Sequence, residues 1–337
     1  MSASPAPTTF YREIAHNRRN SWLLLGVVAV LFAVLGAAVG YAMDVGWIGA
    51  AVALAIAVAL SIGSFFGGDR LVLGVSGAKE VDRANPADEY RQLVNVVEEM
   101  RLAGGLPAPK LYVIDDTAPN AFATGRDPEH ASLAVTTGLL AKLDREELQG
   151  VIGHELSHVG NYDIRFALLV GVLVGGIALM SDFFLRFTFW GGGRRGRDND
   201  RSGGGGLQLI IFVVAIVLAI LAPIISRMVQ LAVSRRRESL ADVSAVDLTR
   251  NPVGLAKALR RIADDPEVLE VANRATQHLY IVNPIKSFEE RAKSMWDTHP
   301  PIAERIRALE GIAGQLGVQF PAGLEAPSST AGLQPNR

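Results

Sequence analysis

The sequence predicts a mainly α-helical protein with a small β-sheet, built on several membrane spans. Three observations predict it. Four long apolar runs come in two pairs, at residues 22–43 with 45–68 and at 166–181 with 207–225. Apolar residues recur at helical spacing in the segments between and after these pairs, and three short runs rich in apolar or β-branched residues lie between residues 110 and 137. The 337 residues are 49% apolar, which is high for a wholly soluble chain. Thirty-three basic residues against 34 acidic ones leave a net charge of -1, so no general attraction to nucleic acid is expected. The absence of cysteine excludes a disulfide framework and any thiolate ligand; a bound metal would rest on His, Asp or Glu.

Residues 1–21 read as a cytoplasmic N-terminal segment. Residues 22–43 carry no charge and are long enough to cross a hydrocarbon core of about 30 Å. The run at 45–68 follows after Asp44 alone, so residues 22–68 form a two-span hairpin with almost no loop. A cleaved leader is the competing reading of the first run, because Arg12, Arg18 and Arg19 precede it, but its apolar core is too long for one. The same arginines place the N-terminus in the cytoplasm and return Asp69 to that side. The expected location is therefore the cell (inner or plasma) membrane, multi-pass, with the soluble part facing the cytoplasm.

Residues 69–165 form the first part of that soluble domain. Asn85-Pro86, Asp88 and Gly104-Gly105 bracket one amphipathic helix. KLYVID (110–115), AFAT (121–124) and SLAVTT (132–137), separated by turn formers, read as a sheet. Asp144 offers a cap with Glu147 three residues on, and Leu148, Val151, Ile152 and Val159 repeat at helical spacing. Residues 166–230 form the second apolar hairpin around a glycine- and arginine-rich loop at 191–206. If both of its runs cross, Arg194, Arg195, Arg197 and Arg201 face outward against the positive-inside bias. The first run is also short, so full crossing and packing on the protein both remain open. Residues 231–312 complete the soluble domain, and 313–337 read as a disordered tail.

VIGHELSHVGNYD, residues 151–163, carries the chemistry. On a helix, His154 and His158 point the same way one turn apart, so both imidazoles can reach one ion. Glu155 lies about 100° round the axis and can address the open coordination position. Six histidines in the chain make the five-residue motif a chance match only about 0.005 times. The bland alternative is a solvated histidine pair at a helix end near a membrane. A third ligand is expected elsewhere, and RRRESLADVSAVD (235–247) is the candidate: Glu238 can ligate while Asp242, one turn on, reaches a histidine ring N–H. An exposed acidic pair balancing Arg235, Arg236 and Arg237 is the alternative. For one ion to bind all three residues, the hairpin between them must return to its starting side.

The ordered set NAFATGR (120–126), GHELSHVGNYD (153–163), SRRRESLAD (234–242), HLYIVNP (278–284) and THPPIAERI (298–306) resembles the HtpX family of membrane-integrated zinc metalloproteases, relatives of the Ste24 and Oma-type peptidases. The resemblance runs over most of residues 10–310. It implies a gluzincin-like endopeptidase with one Zn2+ on His154, His158 and Glu238, and Glu155 as general base and then proton donor. Asp242 matches the position behind the ligands. Asn120, Ala121, Phe122 and Ala123 match an edge strand that binds extended substrate. His299 and Arg305 match a pair that can face the developing oxyanion, although His299 before two prolines can equally cap the next helix. The implied partners are protein substrates, misfolded or damaged membrane proteins among them, and the lipid bilayer. Ser239 departs from the aromatic residue common after the glutamate, a matter of packing. His16, His130 and His278 have no partner at ligand spacing and read as surface or structural. A membrane scaffold with a structural metal site would need a closed fourth ligand. A transporter would need ionisable groups within the spans, which the first two lack.

Overall fold

The computed structural model describes residues 47–169, 235–267 and 301–324, with Arg19, Leu23, Gly26 and Val30 alone nearer the N-terminus. The chain divides into two compact units, one of residues 1–68 with 168–232 and one of residues 69–167 with 233–337. The described part of the first unit lies mainly in α1, Trp47–Val75, a helix of 29 residues that takes in the apolar run expected to end at 68. Its sequence is apolar around the whole helix, and Trp47, Ile48, Val52, Val58, Ile62 and Phe66 are exposed. Among the described residues no helix is long and apolar enough to cross a membrane; several positions of α1 carry side chains outside that set. Nearly all of the run at 22–43, residues 170–230 with the loop at 191–206, and the HLYIVNP segment lie outside the described residues.

The second unit is mainly helical around a small mixed sheet. In chain order its elements are β1 (Lys79–Glu80), α2 (Arg91–Ala103), β2 (Lys110–Ile114), β3 (Ala121–Gly125), β4 (Ala131–Thr136), α3 (Thr137–Lys142), α4 (Arg145–Gly160), α5 (Arg235–Thr249), α6 (Pro252–Asp264) and α7 (Ile302–Gln315). The sheet order is β1-β2-β4-β3. β2 runs parallel to β4, whereas β1 and β3 run antiparallel to their neighbours, which leaves β3 at an edge among the described strands. The three expected strands form within a residue of their predicted bounds. β1 was not expected, because two residues carry no periodicity. α2 starts later than the Asn85 signal suggested: a 3-10 turn at Asp88–Tyr90 precedes it, and its first turn has no side-chain cap. Gly104 and Gly105 end it as expected, Gly105 taking φ 61.

α4 is the central element. Asp144 accepts from the Glu147 N–H and Glu147 accepts from the Asp144 N–H, both at 2.9 Å, so the capping box forms. From Glu147 through Ser157 almost every residue is buried, polar ones included. The helix packs against α2, α5, α6 and β3. Leu148, Val151, Ile152 and Leu156 meet Val96 and Val97 of α2, Leu133 and Val135 of the sheet, and Leu255 and Leu259 of α6 in one core. α7 closes the unit with Ile306 and Leu309. The tail expected to be disordered from 313 needs correction as far as residue 324. α7 runs to Gln315, and Phe320 and Leu324 beyond it pack on the core, two large apolar side chains that favour burial over water. Residues 325–337 lie outside the described set.

The α4–α6 contact is made by main chain. A methyl group on Gly150 would stand 2.7 Å from the backbone N and Cα of Leu255, whereas one on Gly153 would stand 3.5 Å from Ala245, an ordinary contact. Gly150→Ala is therefore expected to destabilise the protein by about 1–3 kcal/mol through overpacking. Gly153→Ala is expected to be neutral or to stabilise by up to about 1 kcal/mol through helix propensity. Denaturant unfolding of both variants checks this, and equal effects would refute the contact.

Candidate active site

α4 carries His154 and His158 one turn apart and α5 carries Glu238 and Asp242 one turn apart, and the two helices pack on each other. The histidine Nε2 atoms stand 3.3 Å from each other. The Glu238 carboxylate straddles them, Oε2 at 3.5 Å from His154 Nε2 and Oε1 at 3.6 Å from His158 Nε2. One ligand atom from each of the three residues lies within 4.8 Å of the others. Ligands held about 2.0–2.2 Å from one ion at tetrahedral angles stand roughly 3.3–3.5 Å apart, so this donor set fits a small divalent cation.

The far side of each imidazole is held by a carboxylate. His154 Nδ1 lies 3.0 Å from Asp242 Oδ1, and His158 Nδ1 lies 3.0 Å from Asp163 Oδ2. A carboxylate only accepts, so each Nδ1 bears the hydrogen and each Nε2 turns its lone pair to the shared centre. Arg305, from the start of α7, donates to both oxygens of Asp242, Nε to Oδ2 at 2.9 Å and Nη2 to Oδ1 at 2.6 Å. Its Nη2 is also 3.3 and 3.4 Å from the two ring nitrogens of His154, which lays the guanidinium against the imidazole. Arg305 Nη1 is 3.8 Å from Glu238 Oε2.

Glu155 turns toward the sheet. Its Oε2 accepts a 2.9 Å hydrogen bond from the Ala123 N–H, an amide that therefore points away from β4 and toward α4. Asn120 precedes that strand, and its side-chain oxygen accepts from the Ala121 N–H at 3.0 Å. Asn120, Ala121, Phe122 and Ala123 are all buried.

Charge decides what the centre wants. Among the described residues, Glu155, Asp163, Glu238 and Asp242 are four buried carboxylates at the centre, and Arg237 and Arg305 are two buried guanidinium groups, an excess of two negative charges with neutral histidines. A divalent cation would balance it. Without one the histidines themselves take protons. Burial opposes the charged form of His158, yet the hydrogen bond to Asp163 and the charges of Glu238, Asp163 and Glu155 push its pKa up to about 9. His154 is also raised: burial and the Arg305 charge oppose it, but hydrogen bonds to Asp242 and Glu238 prevail. Asp242 is held below its ordinary value, since the Arg305 charge and the His154 contact outweigh its burial.

The structure thus gathers His154, Glu155, His158, Glu238, Asp242, Arg305 and Ala123 around one centre. His299, His16 and His278 lie outside the described residues, and His130 is an exposed residue paired with Asp127 at 2.6 Å. Asp163 and Arg237 were missed by the sequence reading. The only available signal was the turn-forming Asn161-Tyr162 after the helix, which brings Asp163 back to His158.

The sign of the pH effect follows from these shifts. In metal-free protein the group at His158 contributes stability below its ordinary value near 6.5 and loses it as pH rises through about 9. An ion must displace that proton. Binding of a divalent cation is therefore expected to release about one proton from His158 near pH 7 and progressively less above pH 9, measured with Zn2+ by calorimetry in buffers of different ionisation enthalpy. Release independent of pH would contradict the charge balance.

Residues 87–313 match peptidase family M48. Over 307 residues the chain is 44% identical to a protease HtpX homolog of Lactiplantibacillus plantarum, covering 90% of this chain and 99% of that protein. It is 41% identical over 304 residues to a protease HtpX homolog of Dictyoglomus thermophilum, covering 90% of this chain and 95% of that one. A crystal structure of S. mikatae Ste24p aligns over 88% of this chain and 66% of its own, at 15% identity and a TM-score of 0.44. Because the family match and the two relatives span the segment that holds the histidine and glutamate cluster, the chain belongs to peptidase family M48 and is a metalloprotease of the HtpX type.

Proposed function

We propose that this chain is a membrane-embedded zinc endopeptidase whose catalytic unit faces the cytoplasm. The observation that carries the reading is the convergence of His154, His158 and Glu238 beside Glu155, across 80 residues of chain between the second histidine and the glutamate (238 minus 158). Two imidazoles and one carboxylate suit zinc, which in catalytic sites keeps a fourth position open. When bound, zinc would polarise the scissile carbonyl and acidify water toward a pKa of about 7.

The protein's own groups do the rest. Asp242 and Asp163 hold the two rings in the orientation that presents Nε2. Glu155 takes the proton of the attacking water on a carboxylate oxygen and delivers it to the leaving nitrogen. The Ala123 amide fixes where that carboxylate stands. The outer edge of β3, from Asn120 to Ala123, is buried here and would be uncovered to line up an extended substrate by main-chain hydrogen bonds, in the manner of strand addition. The remaining N–H groups of Arg305 bring positive charge beside Glu238, and His299 is proposed to share the task of facing the oxyanion.

Membrane embedding rests on the apolar runs and on α1. The large apolar side chains that α1 exposes are costly in water and at home in lipid. The histidine helix ends just before the apolar run at 166, which would keep the site near the bilayer surface. Misfolded or damaged membrane proteins are the substrates we propose for it.

Glu155→Gln is expected to retain one zinc per chain and to lose casein cleavage by at least about 100-fold, the usual scale for a general base. If the variant cleaves as wild type does, the assignment fails; if wild type binds zinc and never cleaves, a structural metal in a membrane scaffold is the better account. Carbonate washing is expected to leave the protein in the membrane fraction, and release without detergent would refute the embedded reading.

A further inference from the structure

His154 and His158 are held alike, and the carboxylate behind His158 has a buried partner of its own. Asp163 divides its carboxylate, Oδ2 accepting from His158 Nδ1 at 3.0 Å and Oδ1 facing Arg237 Nε at 3.7 Å. The Arg237 guanidinium lies over the Phe166 ring, 4.8 Å from its centroid. Arg237 directly precedes Glu238 on α5, and Asp163 sits just past the end of α4. We propose that Asp163 and Arg237 are positioning residues of the metal centre: they fix the tautomer and tilt of His158 and clamp the start of α5 so that Glu238 faces it. This rests on the zinc site proposed above.

Three features support a placement role over plain stability. First, both members of the pair are buried, and a buried ion pair adds little net stability because desolvation offsets the attraction. What it adds is geometry, since breaking it would strand a charge.

Second, the chain accepts strain to make the contact. Tyr162 takes φ 59, a left-handed conformation that costs a non-glycine residue about 1–3 kcal/mol. The turn it makes points Asp163 back beneath His158, and the Arg165 guanidinium lies over its ring at 5.1 Å. Third, the pair repeats the arrangement on the other side of the centre, where Arg305 holds Asp242 and Asp242 holds His154. Each relay ties α4 to α5, one through Arg237 and one through Asp242. The relays differ in exposure: the His154 side chain is fully buried, whereas that of His158 keeps 15% of its surface. The relay through Asp163 is thus the looser one and the one where a lost contact shows first as faster metal loss.

The test is zinc affinity of the full-length, detergent-solubilised protein, read by competition with a chromophoric chelator, alongside the melting temperature of each metal-free protein. Asp163→Ala is expected to weaken zinc binding by about 10–100-fold and also to lower metal-free melting, since it strands the Arg237 charge. Asp163→Asn keeps an oxygen that can accept from His158 and is expected to recover part of that loss; it also carries the test if the alanine variant fails to fold. Arg237→Gln is expected to weaken binding several-fold alone and to add little on top of Asp163→Ala, since the two act in series. Zinc affinity of Asp163→Ala within about twofold of wild type, or an equal loss of affinity in Asp163→Ala and Asp163→Asn, would overturn the proposal. Glu238→Gln separates the two ideas: if it binds zinc as wild type does, or wild type binds none, the metal centre itself is wrong.

Discussion

Two hydrogen bonds from Arg305 to Asp242 hold the interior of the catalytic unit together, because neither charge could remain there alone. Both side chains are almost wholly buried. Removing one partner of such a pair typically costs 3–5 kcal/mol, most of it the penalty of an abandoned charge. Everything near the centre is arranged around that necessity. With Arg305 in place Asp242 must face it; with Asp242 fixed, His154 has its Nδ1 hydrogen directed away from the shared centre; and with α5 set by Asp242, Glu238 one turn earlier looks across at both histidines. α7 therefore takes part in building a site to which it contributes none of the three clustered ligand groups.

α4 shows how far ordinary helix rules bend for this. A helix at a protein surface buries one stripe and wets the other. This one is buried almost all round and still carries His154, Glu155 and Ser157 among its inward residues. Each finds a partner: His154 in Asp242, Glu155 in the Ala123 amide, and Ser157 in the Gly153 carbonyl at 2.8 Å. The close helix packing needs small residues, and the polar residues need neighbours that arrive from distant parts of the chain. Local sequence preference and function thus pull against each other in the same sixteen residues.

That tension explains what could be read in advance. The histidine pair, Glu155, and the Glu238–Asp242 pair were legible because their geometry is local: three and four residues of helix place them without reference to anything else. The three main strands, the capping box of α4 and the end of α2 were legible for the same reason. Asp163 was not, because it reaches His158 only through a strained turn at Tyr162, where a tyrosine gives no hint of a left-handed conformation. The Arg305 pairing with Asp242 joins residues 63 apart, a distance over which spacing carries no information. Phe320 and Leu324 were hidden by the polar, proline-bearing stretch that follows them, whose composition suggested disorder throughout.

The order in which the chain supplies these groups has a temporal consequence. His154 and Arg305 are 151 residues apart, and at roughly 5–20 residues per second a ribosome needs about 8–30 s to travel between them. During that interval the nascent chain has both histidines and Glu155 but lacks the guanidinium that steadies Asp242. Assembly of the cutting centre is thereby postponed until α7 has emerged, so an unfinished molecule lacks the completed charge clasp. α7 acts as a timer on α4.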